Sequence, residues 1–446
     1  MKSLYDVGRE YAESDYAVFS MPGHKNRASF VLPEGAYRYD FTELSVTDDL
    51  YCSENGIKNI EITAEKLFGS YFSCLSVAGA SLCVMAAMGI ARKFTEKIMI
   101  SRFCHSSAVN GMSIFGLTPV WLTQKRSGTA VAPLCAEEIE RKIAEDSSIG
   151  AVFITTPDYY GTVTDLEGIS TVCKRHKKLL IVDNSHGTHF VLGGTHPIKY
   201  ADITCDSLHK TLPSLTGTAL LNISKSLENK VEKDEVKDVM KRLSSTSPSY
   251  LLALSAESCI NWMIKEGKSA YLKANRTALE AREKIEALGF ELNCGKVDPC
   301  RICISALGFG IDGKRLYSLL LDEKVVCEMA DDVFAVAILT PFNSESDLSR
   351  LINALEKIAK NGKKRPANIS PLEFYIPKCA KRLAFFDGEK TEKLPLCSSY
   401  GRISAENKYI YPPSRPIVLC GEIIDEKVID ELTAAGEKTV RVVSEK

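Results

Sequence analysis

Three short motifs place chemistry-bearing side chains just after apolar runs. Ile181-Val182 leads into Asp183-Asn184-Ser185-His186-Gly187, Ile203-Thr204 leads into Asp206-Ser207-Leu208-His209-Lys210-Thr211, and Gly79-Ala80-Ser81 opens a helical pattern. Together they offer an amine for a Schiff base, a carboxylate for a pyridinium nitrogen and N–H donors at a helix start for a phosphate. Those are the parts that hold pyridoxal 5'-phosphate. Lys210 is crowded between His209 and Thr211, where partial loss of water lowers the amine's proton affinity and makes it nucleophilic; the alternative is an ordinary surface lysine. Asp183 stands 27 residues earlier, at the end of a strongly apolar run. An unpaired carboxylate is costly there, and a cationic ring nitrogen would partner it. His105, in Phe103-Cys104-His105-Ser106-Ser107, follows the run Lys97–Ser101. It could stack on a flat cofactor ring, or serve as a hydrogen-bonded structural histidine.

Such residues work only if the segments carrying them end together. From about residue 60 to 225, short apolar runs alternate with amphipathic stretches. Strands are expected at Lys97–Ser101, 119–122, 151–155, 179–182, 203–204 and Ala219–Ile223, with helices such as Ala136–Glu145 and 169–176 between several of them. That order predicts βαβ units and a mainly parallel sheet, whose ligands sit beyond the carboxyl ends of its strands. The uncharged stretch from Phe68 to Ala91 is long enough to span a bilayer, but Gly69, Ser70, Ser73, Ser76, Gly79 and Ser81 interrupt it. It divides into a strand or turn near 73–78 and a buried helix from 81 to about 93. Helices follow at 227–243, 247–264 and 271–288, the last leading into a smaller α/β pattern over 301–361. The basic run Asn361-Gly362-Lys363-Lys364-Arg365-Pro366 reads as a linker to a third segment.

Composition narrows the partners. The 446 residues contain 45% hydrophobic and 25% charged side chains, an ordinary globular balance. Lys+Arg number 56 against Asp+Glu 57, a net charge of −1, so no bulk field favours nucleic acid or an acidic membrane. Fifteen scattered cysteines suggest reduced thiols, and the start MKSLYDVGREYAESDY has no apolar core of a secretory signal, so the expected compartment is the cytoplasm. Cys300 and Cys303 have metal-ligand spacing, but no second pair follows and Arg301-Ile302-Cys303-Ile304 alternates as a strand; no metal is expected.

A longer set of motifs carries a resemblance. Pro22-Gly23-His24-Lys25, Asp40-Phe41-Thr42-Glu43 with Asp48-Asp49-Leu50, Gly79-Ala80-Ser81, Arg102-Phe103-Cys104-His105-Ser106, Pro157-Asp158-Tyr159-Tyr160-Gly161, Asp183 to His189, Ser207 to Thr211, Tyr411 to Pro416 and Gly421-Glu422 occur in order over nearly the whole chain. In this the sequence resembles the ornithine/lysine/arginine decarboxylases, pyridoxal-phosphate enzymes of fold type I. The resemblance implies a PLP-dependent-transferase-like α/β large domain over 61–270 behind an N-terminal arm 1–60. It also implies a smaller α/β domain over 271–362 and a C-terminal α+β domain over 363–446. By it Lys210 is the Schiff-base lysine, Asp183 pairs with the ring nitrogen, and His105 stacks on the ring. Gly79, Ala80, Ser81, Ser207 and His209 hold the phosphate, and His186 lines the cavity. The expected reaction is decarboxylation of lysine, arginine or ornithine to an amine in a homodimer or larger homo-oligomer, with His209 or Lys210 returning the proton.

Several positions depart from the family's pattern. Its Gly-Ser-Thr turn is Gly79-Ala80-Ser81 here, which removes one hydroxyl, and Asn184 replaces a carboxylate. Asp158 replaces a threonine, and Ser414-Arg415 replace Gly-Ile. For the basic end of a substrate, Glu422, Asp332 and Asp158 are the candidate acids. Two other readings stay open on the same fold: an aminotransferase or β-eliminating lyase, which an arginine such as Arg402 or Arg415 on the substrate carboxylate would favour, and a decayed paralogue that binds the cofactor without turnover.

Overall fold

The structure is a computed structural model that describes residues 13–445 apart from 26, 28, 33, 45, 46, 128, 129, 363–371, 374, 381–388 and 411–414. The expected linker 361–366 and the motif starting at Tyr411 fall largely outside the described residues.

Apolar runs such as Ile-Met-Ile and Leu-Leu-Ile-Val have no polar face to turn to water, so they become strands buried on both sides. Seven of them form one sheet: β1 (Phe72–Ser76), β2 (Lys97–Ser101), β3 (Thr118–Leu122), β4 (Ile149–Thr155), β5 (Leu179–Asp183), β6 (Ile203–Ser207) and β7 (Ala219–Ile223). Their order is β1-β7-β6-β5-β4-β2-β3. Only β7 runs antiparallel; it pairs with β1 through Leu221↔Cys74 and with β6 through Leu221↔Cys205. The sheet is therefore mainly parallel, as expected. The uncharged stretch after Phe68 divides into β1 and helix α1 (Gly79–Arg92), whose residues Leu82, Val84, Ala87 and Met88 are buried. Fully burying one such leucine or methionine contributes about 2 kcal/mol, enough to hold this glycine-fed helix under the sheet. Among the described residues no helix is long and apolar enough to cross a membrane.

A second, antiparallel sheet contains β8 (Glu291–Leu292), β9 (Arg301–Ser305), β10 (Met329–Ala330) and β11 (Ala335–Ile338), ordered β8-β9-β11-β10. Helices Gly313–Asp322 and Glu345–Asn361 cover it through Leu316, Leu320, Leu351 and Leu355. The strand Ala17–Phe19 pairs in parallel with Val325–Cys327, Phe19 opposite Cys327. That pairing, which local pattern does not foretell, carries the following residues from Ser20 to Lys25 toward the ends of the large sheet. In the last segment, Thr391–Pro395 pairs with Thr439–Val443 over a small core with Val418, Ile424, Val428 and Leu432.

Candidate active site

Six parallel strands end on one edge of the large sheet, and residues that follow several of them meet there. A cavity of about 270 Å³ opens at this edge, walled by Phe103, Cys104 and His105 after β2, Thr155 and Tyr159 at β4, Asp183 and His186 at β5, and Lys210 after β6. Met21 and Glu328 close it from the N-terminal segment and the second sheet. Lys210, Asp183, His105 and His186 are thus brought together as expected. Ser207 and His209 do not reach the cavity wall.

Lys210 Nζ lies 2.9 Å from His186 Nε2. Burial lowers the lysine's proton affinity first; Asp183 and Glu328 oppose the shift and Arg301 adds to it. Burial also holds His186 well below the ordinary histidine range, helped by the charges of Lys210 and Arg301, so its ring is neutral and can accept a hydrogen bond from the amine. His209 is pushed down to about 4, chiefly by burial. Its Nδ1 sits 3.1 Å from Ser207 Oγ and 3.2 Å from Thr218 O, and accepts from Gly217 N at 3.4 Å.

The residues present fit pyridoxal phosphate. Asp183 is buried at the end of β5, and its Oδ1 accepts from Ser185 N at 3.1 Å and from Ser185 Oγ. One oxygen is thereby oriented by the protein, and the carboxylate lines the cavity, where it would pair with a cationic ring nitrogen. His105 is the hydrogen-bonded histidine that its sequence allowed, and it also lines the cavity where a cofactor ring would lie. Its Nδ1 caps helix α2 (Ser106–Phe115) by accepting from Ser107 N at 3.2 Å, while its ring faces the cavity. Thr155 Oγ1 is buried in the wall without a hydrogen-bond partner, a hydroxyl available to a polar ligand atom. The start of α1 has no side-chain cap from Ala78, and Ser81 is exposed in its first turn. Its N–H groups and positive dipole end are a ready anion site, so the loss of one hydroxyl at Ala80 leaves the main donors in place. Gly79 takes φ +76°, which a side chain would strain, and its N–H donates to Gly217 O at 2.6 Å. Through Gly217 this turn is tied to His209 and Ser207, where the phosphate residues were expected.

The acids proposed from sequence for a basic side chain are elsewhere. Glu422 is spent on Arg102, with bonds of 2.7 and 2.8 Å between two buried side chains, and Arg102 also lies over Trp121 at 4.8 Å. Asp332 pairs with Lys314 on the surface. Asp158 is buried behind the wall and pushed up to about 6 by burial; its Oδ1 accepts from Tyr160 N and Thr162 N. Besides Asp183, a second carboxylate, Glu328, lines the cavity, and sequence reasoning missed it. Its Oε1 accepts from Tyr159 OH at 3.1 Å and its Oε2 from Met21 N at 2.7 Å. Its only local signal was its place at the end of a short strand. Arg402 and Arg415 do not reach the cavity either; they pair with Glu392 and Glu431. Cys300 and Cys303 are buried, with Cys303 Sγ donating to Tyr160 O, and among the described residues no group of three or more histidines, cysteines and acids could hold a metal ion.

Gly23 shows how tightly the lysine loop is packed. A Cβ there would lie 2.6 Å from the Thr211 carbonyl carbon and 2.7 Å from Leu212 O. Its N–H donates to His209 O at 2.8 Å, and Tyr271 OH donates to Thr211 O from the other side. Backbone cannot give way as a flexible side chain can, so Gly23→Ala should displace Lys210. Expected are a loss of roughly 1–3 kcal/mol of stability and faster loss of cofactor on dialysis. A native-like melting temperature with native cofactor retention would show that the loop has slack.

A family model described as "Orn/Lys/Arg decarboxylase, major domain" matches residues 2–324. The chain is 27% identical to the arginine decarboxylase of Bacillus subtilis strain 168, over 96% of this chain and 92% of that one. Its structure is similar to the constitutive lysine decarboxylase of E. coli, with a TM-score of 0.75 and 18% identity over 99% of this chain and 81% of the other. Lysine decarboxylase A of Pseudomonas aeruginosa gives 0.76 and 14%, over 98% and 80%. At such identities the structural likeness shows the fold of fold-type-I pyridoxal-phosphate enzymes. Because the family match covers residues 2–324, well over half of the chain and every strand of the large sheet, the chain belongs to the Orn/Lys/Arg decarboxylase family and is a pyridoxal-phosphate-dependent amino-acid decarboxylase.

Proposed function

We propose that the substrate is L-arginine or L-lysine, and that Glu328 receives the cationic end of its side chain while Lys210 serves the α-amino end. The observation that carries this reading is the placement of Glu328 in the same wall as Lys210, with each of its oxygens already aimed by a donor. A fixed carboxylate in a small cavity with apolar wall residues selects a cation and rejects a neutral chain, because a mismatched partner leaves the charge unpaired. Relatives named arginine decarboxylase, matched over nearly all of this chain, support arginine as the first compound to try.

Bound pyridoxal phosphate supplies an electron sink for the pair released when the carboxylate departs as CO2. Asp183 would hold a proton on the cofactor's ring nitrogen and keep that sink cationic. His105 would lie against the ring, and Phe103, Met21 and Cys104, which line the same cavity, would keep water from the reacting bond. Among the described residues no arginine walls the cavity. The α-carboxylate therefore lacks the cationic grip that an aminotransferase provides, which favours its loss over its retention. Lys210, in the wall and bonded to neutral His186, is better placed than His209 to return a proton to the α-carbon. Exposed Tyr37, Tyr39, Leu44 and Ile114 support self-association of the chain. A monomer in analytical ultracentrifugation would remove that part of the reading.

The test is mass-spectrometric detection of agmatine, cadaverine or putrescine from cofactor-loaded protein given arginine, lysine and ornithine separately. Product from ornithine alone, or from none of the three, would overturn the proposal. Glu328→Gln should lower kcat/KM for the preferred substrate about 10²- to 10³-fold, as expected for truncating one side of a buried charge pair. Turnover of norleucine, which lacks the distal charge, should change little. Equal losses on both would mean that Glu328 shapes the cavity without reading the charge.

A further inference from the structure

The Asp183–His189 motif contains two histidines. The first, His186, is bonded to the Lys210 amine. The second, His189, is 4% exposed in the short 3-10 turn Thr188–Gly193, and its ring bridges parts of the chain that lie far apart. On one side Nε2 lies 3.3 Å from Oδ2 of the buried Asp298, an ion-pair distance. On the other, Nδ1 lies 3.2 Å from Thr211 Oγ1. The ring also stacks on Tyr271, with centroids 4.9 Å apart and planes inclined at 21°.

Asp298 belongs to the turn that opens β9. Its N–H donates to Gly161 O at 2.8 Å, its Oδ1 accepts from Cys300 N at 3.0 Å, and its carbonyl accepts from Arg301 N at 3.0 Å. The carboxylate is thus held by the second sheet. An ionised carboxylate beside Nε2 draws the ring proton to that nitrogen, which leaves the Nδ1 lone pair to accept the Thr211 hydroxyl. Thr211 directly follows Lys210 in the chain. The carbonyls on either side of that lysine are already tied: His209 O accepts from Gly23 N at 2.8 Å and Thr211 O accepts from Tyr271 OH. His189 adds a bond to the Thr211 side chain, so both the carbonyl and the rotamer of that residue are fixed. The peptide that joins it to Lys210 then has little freedom to turn.

We propose that His189 is a positioning residue: the line Asp298–His189–Thr211 carries the seating of the second sheet to the lysine loop and fixes the direction from which the Lys210 amine meets the cofactor aldehyde. This rests on Lys210 being the cofactor lysine. Bond formation depends steeply on such alignment, because a small displacement of a reacting atom takes it out of attacking geometry.

The test strips the full-length chain of cofactor, returns it to saturating pyridoxal phosphate and traps the link at Lys210 with borohydride at timed intervals, with peptide mass spectrometry as readout. At saturation the rate reports bond formation rather than capture. Thr211→Val, which keeps the shape and removes the hydroxyl, should slow the link about three- to tenfold, the rate equivalent of one hydrogen bond. Thr211→Ser restores the hydroxyl and should stay near the native rate. His189→Phe keeps a ring against Tyr271 and should match Thr211→Val, and the double variant should be no slower than either single one, since both break the same line. A native rate in Thr211→Val with only a lower melting temperature, an equal loss in Thr211→Ser, or losses that multiply in the double variant would overturn the proposal. If His189→Phe does not fold, the comparison of Thr211→Val with Thr211→Ser decides alone. A native chain that forms no link at Lys210 would remove the cofactor-lysine reading and this proposal with it, whereas a native chain that links normally while Thr211→Val keeps pace removes this proposal alone.

Discussion

Lys210→Ala should give a folded protein that forms no borohydride-reducible link to pyridoxal phosphate and no amine from arginine or lysine. Among the described residues the only side-chain hydrogen bond lost is that to His186, a residue of the cavity wall. The stability cost should be about 1 kcal/mol or less. On the roles proposed for Lys210 the chemical cost is far larger, because the substitution removes both the proposed covalent anchor and the proposed proton donor. The expected fall in kcat is on the order of 10⁴-fold or more. The measurement pairs product mass spectrometry with the visible absorbance of the lysine-bound cofactor. Retention of that absorbance would mean that another amine holds the cofactor. Buried Lys25, whose Nζ is within hydrogen-bonding reach of Ser20 O, is the amine that peptide mapping should then examine.

Asp183→Ala should separate cofactor capture from turnover. The link at Lys210 needs only an amine and an aldehyde, so it should still form, with weaker retention. The carboxylate proposed to keep the ring nitrogen protonated would be gone, and a preorganised charge of this kind is worth about 10²- to 10³-fold in kcat. Asp183→Asn keeps the size of the side chain and an oxygen that Ser185 can reach, so it isolates the charge. Both variants should show the loss in kcat with the Lys210 link intact. If Asp183→Asn turns over normally, the aspartate orients the wall and the ring nitrogen is served by another group.

The buried pair Arg102–Glu422 ties the last segment to the strand end that presents Phe103, Cys104 and His105. Glu422 also accepts from Leu419 N, and Arg102 Nη2 donates to Ile417 O. This explains why a Gly-Glu motif so far along the chain belongs with the cavity motifs: it secures their framework and does not read the substrate.

What the sequence determined by itself was local and repetitive. β2, β7 and the helix Ala136–Glu145 follow from uninterrupted apolar runs or an amphipathic period, and their ends agree with the reading from periodicity. The ends of β5 and β6 extend one and three residues further, to Asp183 and Ser207, because strand pairing absorbs the polar residues that local pattern assigns to loops. Lys210, Asp183 and His105 were legible because a parallel sheet delivers the residues after its strands to one edge wherever those strands lie in the chain. Glu328, Met21 and Arg301 were not. Their partners lie across long sequence separations: the pairing of Ala17–Phe19 with Val325–Cys327 sets Met21 N on Glu328, and the second sheet seats Arg301 against Gly161. Likewise, nothing in the spacing of Glu422 shows that Arg102 neutralises it. Whether a carboxylate or a guanidinium is spent on a partner or left to act on the cavity depends on distances of a few ångströms between segments far apart in the chain, and tertiary packing alone sets those distances.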